Sequence, residues 1–276
     1  MMVYGKTIEL FLVNGVADSL VTAELSNWNG MAIKVPRTEI SSYSREDLKN
    51  PGVYFLFCEE NGEDSVYIGE AENILDRLNQ HIRDYKANKE KYYWTSAVAF
   101  TGRDLNKAHI RYLEDRFVKI ARDSGKYTVL TKNTYGKTVL KESQIASMEE
   151  FIDNVKILIN VLGYKVLDVP EKENCNEELY LYCSGSGGSG KGFITSGGLT
   201  VVKGSKVSDH VTNSFSACSY SNLRNKLILN EVIKEDVFVK DYEFNAPSAA
   251  SAVILGRTSN GNVDWKTKDG IKLKDI

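Results

Sequence analysis

Gly52-Val53-Tyr54 and Tyr67-Ile68-Gly69 lie in two strand-like runs with 12 residues between them, and a helical stretch bearing Arg77 and His81 follows at once. Two phenols, a guanidinium and an imidazole brought onto one surface supply an acid/base pair and a clamp for a phosphate. That set suits the cutting of a phosphodiester. A phenol ionises near pH 10, so one that serves as a base at neutral pH needs positive charge beside it, from Arg77, His81 or a metal. Arg77 and His81 stand four residues apart and so share a helix face, with Leu78 and Ile82 turned to the core.

The elements that must position these groups can be read from the hydrophobic pattern. An apolar run at 53–57 follows Pro51-Gly52, a polar turn at 59–64 closes it, and a second strand occupies 65–68, which predicts an antiparallel hairpin. Over 71–88 the apolar residues Ile74, Leu75, Leu78 and Ile82 recur at helical intervals. A third strand at 96–101 leads to a helix at 106–122, with Ile110, Leu113, Phe117 and Ile120 on one face and Gly125 at its end. After a polar loop at 131–137, a last helix at 142–162 carries the stripe Ile145, Met148, Ile152, Val155, Ile159 and Leu162. The order is β-β-α-β-α-α.

Gly52-Val53-Tyr54, Tyr67-Ile68-Gly69, Arg77, His81, Glu114 and Asn133 occur in the order found in the GIY-YIG nuclease superfamily, which residues 51–165 resemble. The resemblance implies an α+β fold with a β-β-α-β-α core, a small three-stranded antiparallel sheet and flanking helices. It implies that Tyr54 or Tyr67 activates the attacking water, and that Arg77 binds the phosphate. It further implies that His81 relays a proton or contacts the phosphate, and that Glu114 in the second helix holds a single divalent cation, Mg²⁺ or Mn²⁺, as oxygen-only ligation allows. Asp115 is the fallback ligand but points about 100° further round the helix. Asn133 corresponds to a polar residue near the active centre, and is equally suited to forming a turn.

The flanking segments divide the chain further. Residues 1–50 hold short strand-like pieces at 7–13 and 30–35 and read as a small β-rich N-terminal extension, followed by the nuclease-like domain at 51–168. The Gly/Ser-rich stretch SGSGGSGKG at 184–192 reads as the end of a connector spanning 169–192. It nearly spells a phosphate-binding P-loop, but Gly192 stands where a Ser or Thr must bind Mg²⁺ and the residues that follow cannot open a helix, so nucleotide binding is rejected. Residues 193–276 read as a second α+β domain, which resembles a domain of unknown function commonly fused to GIY-YIG modules. That resemblance implies a DNA-engaging role. The alternative is that Pro247-Ser248 starts a helix packed through Leu255 and that Trp265 fills a core.

Composition sets the outer limits. The 276 residues are 42% hydrophobic and 26% charged, with no apolar run near the ~18 residues a membrane helix needs. The N-terminus has no signal-peptide pattern, so a cytoplasmic location and no membrane partner are expected. Cys58, Cys175, Cys183 and Cys218 are widely spaced, as reduced thiols would be. A net charge of −2 argues against coating nucleic acid by bulk electrostatics, although Lys191, Lys203, Lys206, Arg224 and Lys226 against Asp209 allow a local basic face. The expectation is a metal-dependent endonuclease acting on DNA. The alternative is a catalytically silent DNA-binding or interaction module that keeps the fold.

Overall fold

The computed structural model describes residues 5–42, 45–60, 63–132, 134, 138–168, 180–195, 197–216 and 218–276. The chain forms two compact units, Met1–Asp168 and Val169–Ile276. In the first, β1 (Ile8–Leu12), β2 (Val21–Leu25) and β3 (Gly30–Pro36) precede the expected hairpin of β4 (Gly52–Glu60) and β5 (Glu63–Ala71). Helix α1 (Ile74–Lys86), β6 (Trp94–Gly102), α2 (Lys107–Ser124), β7 (Thr128–Val129) and α3 (Glu142–Val161) complete it.

The β-β-α-β-α core is therefore present, but its three strands are the centre of a larger sheet. Seven strands run in the order β1-β2-β3-β6-β4-β5-β7, all antiparallel neighbours except the parallel pair β5 and β7. The strands before residue 50 are thus part of the same sheet, because β3 pairs over its whole length with β6, from Gly30 opposite Gly102 to Pro36 opposite Ser96. Alternation along β4 divides the two faces. Val53, Phe55 and Phe57 join a core with Phe117 of α2 and Ile152 of α3, whereas Tyr54, Leu56 and Cys58 join another with Leu75 and Leu78 of α1. Helices on both faces bury the centre of the sheet, while the edge strand β1 is exposed.

Caps fix the helix ends near the expected limits. The Asn73 side chain accepts from Asp76 N at the start of α1, Asn106 does the same for α2 through Ala108 N and His109 N, and Gly125 closes α2 at φ 66°.

The second unit contains β8 (Leu181–Gly185), β9 (Gly188–Thr195), β10 (Gly198–Val201), α4 (Asn213–Ser216), α5 (Ser219–Leu229), β11 (Ile233–Lys234), β12 (Val237–Phe238), β13 (Tyr242–Phe244), α6 (Pro247–Leu255) and α7 (Gly261–Asp264). A four-stranded sheet in the order β13-β10-β9-β8 packs on α6, which is buried from Ala249 to Leu255, Ser251 included, as a helix apolar nearly all round must be. Trp265 is fully buried and its indole N–H donates to Pro247 O at 3.0 Å. The Pro247–Leu255 and Trp265 pattern therefore builds a core.

Two expectations change here. The connector through Gly192 is corrected, since 181–192 forms the β8–β9 hairpin and belongs to the unit that begins at Val169. Its glycines are dictated by packing. Gly188, Gly190 and Gly192 alternate along one face of β9, and a Cβ on Gly188 would overlap the carbonyl oxygen of Ile254. The basic face is also smaller than expected, because Arg224 is buried and donates to Ser208 O at 2.5 Å. Among the described residues no helix is long and apolar enough to cross a membrane.

Gly188→Ala should lower the stability of the second unit by about 1–3 kcal/mol, read by thermal or urea denaturation. A flexible connector would tolerate the same change.

Candidate active site

The hairpin register explains both tripeptides. Tyr54 lies opposite Gly69 and Leu56 opposite Tyr67, so the two tyrosines are diagonal neighbours on one face, ring centroids 6.3 Å apart. The missing side chain at Gly69 leaves the volume that the Tyr54 phenol fills, since a Cβ there would overlap Tyr54 Oη. Gly52 has a similar cause: a Cβ would strike the carbonyl oxygen of Phe100 on β6.

Tyr54 is fully buried as a residue, and its oxygen is held from the α1 side. Arg77 Nε donates to Tyr54 Oη at 3.2 Å and His81 Nε2 lies 2.9 Å from the same oxygen. Tyr67 is half-buried, and its ring stacks on Tyr92 at 5.7 Å. Burial pushes the Tyr54 phenol well above its ordinary value, and Tyr67 beside it adds to this while the Arg77 charge opposes it. Burial also raises Tyr67, against Arg77. Arg77 itself is held cationic: burial works against its charge, but the two phenol oxygens outweigh it.

His81 corrects one sequence expectation. It is 1% exposed and continues the buried stripe Ile74, Leu75 and Leu78, while Ile82 is only half-buried. The spacing of 74, 78 and 81 follows the helical repeat, so the core side of α1 passes through His81. His81 does not line the cavity that Arg77 and Glu114 share; its neighbour is Tyr54. Burial lowers its pKa to about 3, helped by the charges of Arg77 and Arg37, so the ring is neutral at physiological pH.

Glu114 sits on α2 at 5% exposure, and its Oε2 has no hydrogen-bond partner among the described residues. An orphaned buried carboxylate oxygen is costly unless a cation completes it. Its carboxyl is raised to about 7, first by burial and then by Glu70 and Asp115, against the charges of Lys107 and Arg77. The residues present therefore fit a divalent cation with Glu114 as a protein ligand. Asp115 is exposed and accepts from Thr134 Oγ1 at 2.5 Å. Among the described residues no cluster of three or more His, Cys, Asp or Glu side chains is assembled. Asn133 lies outside the described residues.

Tyr54, Tyr67, Arg77 and Glu114 line one open cavity of about 730 Å³, together with Glu70, Arg83 and Lys107. The motif spacing points to the first four of these residues, and no motif points to Glu70, Arg83 or Lys107. The Glu70 side chain, 4% exposed, accepts from Lys107 Nζ at 3.0 Å with Arg111 3.8 Å away. Only its position directly after Gly69 could have signalled it.

With this geometry in place, comparison with known families is decisive for the middle of the chain. The family model described as the GIY-YIG catalytic domain matches residues 50–127. Residues 50–127 are a GIY-YIG domain. The match covers both tripeptides, Arg77, His81 and Glu114. A second model, Domain of unknown function (DUF4357), matches residues 181–276. No curated protein and no solved structure matches the chain. The GIY-YIG match ends before β7 and α3, which complete the sheet edge and the core around it.

The Glu114 carboxyl gives a pH test. Its folded pKa lies above its ordinary 4.5, so the unfolded chain loses the proton first and the cation-free fold loses stability as pH rises from about 4.5 to about 7. Glu114→Gln should remove that loss. The variant should be more stable than wild type at pH 8 in chelator and equal to it below pH 4.5, as measured by urea denaturation.

Proposed function

We propose that the chain is a metal-dependent endonuclease that hydrolyses phosphodiester bonds of DNA at the cavity beneath β4 and β5. The observation that carries this reading is the convergence of Tyr54, Tyr67, Arg77 and Glu114 on that cavity. A chain that only held the fold would have no need of a buried phenol, a cation and an unpartnered carboxylate at one opening.

The net reaction forms one P–O bond to the oxygen of water and breaks one P–O bond of the backbone, and the water proton ends on the leaving oxygen. Arg77 can donate to the non-bridging oxygens while its Nε holds Tyr54, so the charge of the transition state meets a fixed fork of donors. Glu114 would hold the Mg²⁺ or Mn²⁺ through Oε2, and a cation so bound supplies charge neutralisation at the phosphate and the leaving oxygen. Arg83 at the rim adds positive charge suited to a nucleic-acid backbone, whereas Lys107 is paired with Glu70 and Glu72.

Burial raises both tyrosines, so in the cation-free site each phenol keeps its proton, and the base is read as one such phenol. Such a group accepts a proton from water only by passing its own proton on in the same step. Tyr54 has an acceptor behind it, His81 Nε2 at 2.9 Å. The structure records no such hydrogen bond from Tyr67 to the ring.

A plasmid nicking assay with Mg²⁺ or Mn²⁺ should show cleavage by wild type. Arg77→Ala and Glu114→Ala should each lower kcat by at least about 100-fold. Wild type and both variants equally inert on single-stranded, duplex and branched DNA would leave the silent DNA-binding module as the better reading.

A further inference from the structure

The loop after α1 brings back a carboxylate that no motif accounts for. Helix α1 ends with Ala87 N donating to Arg83 O, and Asn88 adopts a left-handed φ of 54°. Lys89 N and Glu90 N then both donate to Asp84 O, which folds the chain back along the helix. Glu90 Oε1 ends 2.5 Å from His81 Nδ1, with its side chain 15% exposed. Arg37 pins the same loop from the other side: its guanidinium lies over the rings of Tyr85, Tyr93 and Trp94, 5.0, 4.6 and 4.7 Å from their centroids. Tyr54 Oη, His81 and Glu90 thus form one continuous buried chain from the cavity into the protein.

The valences of that chain allow two arrangements. When Glu90 is a carboxylate it accepts from His81 Nδ1–H, the Nε2 lone pair is free, and the Tyr54 hydroxyl donates to it. The Tyr54 oxygen then keeps one lone pair for Arg77 Nε–H and one for a water in the cavity. When Glu90 carries a proton it donates to Nδ1, Nε2–H donates to Tyr54 Oη, and the Tyr54 proton has no acceptor in the ring. We propose that Glu90 is a positioning residue of the site, which by accepting from His81 Nδ1 fixes the imidazole tautomer that lets Tyr54, rather than Tyr67, act as the base. The assignment rests on the nuclease reading for its catalytic consequence. In the productive step a water proton passes to Tyr54 Oη as the phenol proton passes to His81 Nε2, and the imidazolium so formed, which burial, Arg77 and Arg37 disfavour, exists only in passing and only while the Glu90 carboxylate accepts from Nδ1–H. The proton returns through Tyr54 to the site after the P–O bond to the leaving group has broken.

The groups that face this chain set the pH at which it switches. Arg77 and Asp84 come from α1, Arg37 from the segment after β3, Tyr54 and Tyr67 from the hairpin, and Tyr92 from the loop. Burial and Asp84 raise the Glu90 carboxyl to about 7 against the charges of Arg77 and Arg37, which places the switch within the physiological range.

The test is a ¹⁵N NMR titration of the imidazoles in the full chain from pH 5.5 to 8.5, beside the pH profile of nicking. The chain has three histidines, and His81→Ala identifies the His81 signals. Wild type should pass from the Nε2–H to the Nδ1–H tautomer with a midpoint near the rise in kcat. Glu90→Gln should abolish that transition in the spectrum and in the rate profile and lower kcat at pH 8.5 by about 100-fold, and Glu90→Asp should restore the transition. A single His81 tautomer throughout in wild type, or an unchanged transition in Glu90→Gln, would overturn the assignment. The titration needs no cleavage, so an inert wild-type protein counts against the nuclease reading alone, and the spectrum still decides on Glu90.

Discussion

The arrangement of the first unit depends on a phenol buried inside a two-faced sheet. A hydroxyl taken out of water costs several times what a hydrogen bond returns unless it is partnered, and Tyr54 Oη is partnered twice, by Arg77 Nε and His81 Nε2. Those bonds fix the rotation of α1 about its axis. They also require a glycine opposite Tyr54, and they explain why the buried stripe of α1 ends on a histidine. The same rotation leaves Arg77 at the cavity, facing Glu114 on the other helix layer. One hydrogen-bonded phenol thus joins strand register, helix orientation and the composition of the cavity.

Much of this unit was legible in the sequence because its signals are local. The hairpin, α1 and α2 follow from periodicity and from Asn and Gly caps, and the motif order announced Tyr54, Tyr67, Arg77 and Glu114. What was not legible depends on contacts distant in sequence. The pairing of β3 with β6 joins segments some 65 residues apart, and no local pattern specifies it. Glu90 is invisible as a charged loop residue until the left-handed Asn88 turns the chain back over His81. The four-residue spacing from Arg77 puts His81 on the face of Arg77, but the spacing of 74, 78 and 81 equally continues the buried stripe, and packing against Tyr54 decides for the stripe.

The Gly/Ser-rich stretch shows the limit of composition. Flexible linkers and close-packed strands both favour glycine, one for freedom and the other for lack of a side chain. The period-two burial of Gly188, Gly190 and Gly192 separates them. Likewise the Pro247–Leu255 segment and Trp265, which suggested a role in binding as readily as in packing, are fully committed to the core of the second unit. The surface of that unit exposes Lys203 and Lys206 beside apolar side chains such as Ile194 and Leu229, and Lys191 lies over the Tyr180 ring at 3.7 Å.

The central claim is that a phosphodiester is cut between the Tyr54 oxygen, Arg77 and a cation on Glu114. A crystal structure of Tyr54→Phe with duplex DNA and Mn²⁺, with the ion located by its anomalous signal, tests it most directly. The account predicts Mn²⁺ on Glu114 Oε2, a backbone phosphate bridging the ion and Arg77, and a water beside the ring at position 54. Mn²⁺ bound away from Glu114, or DNA bound with no phosphate in this cavity, would contradict it.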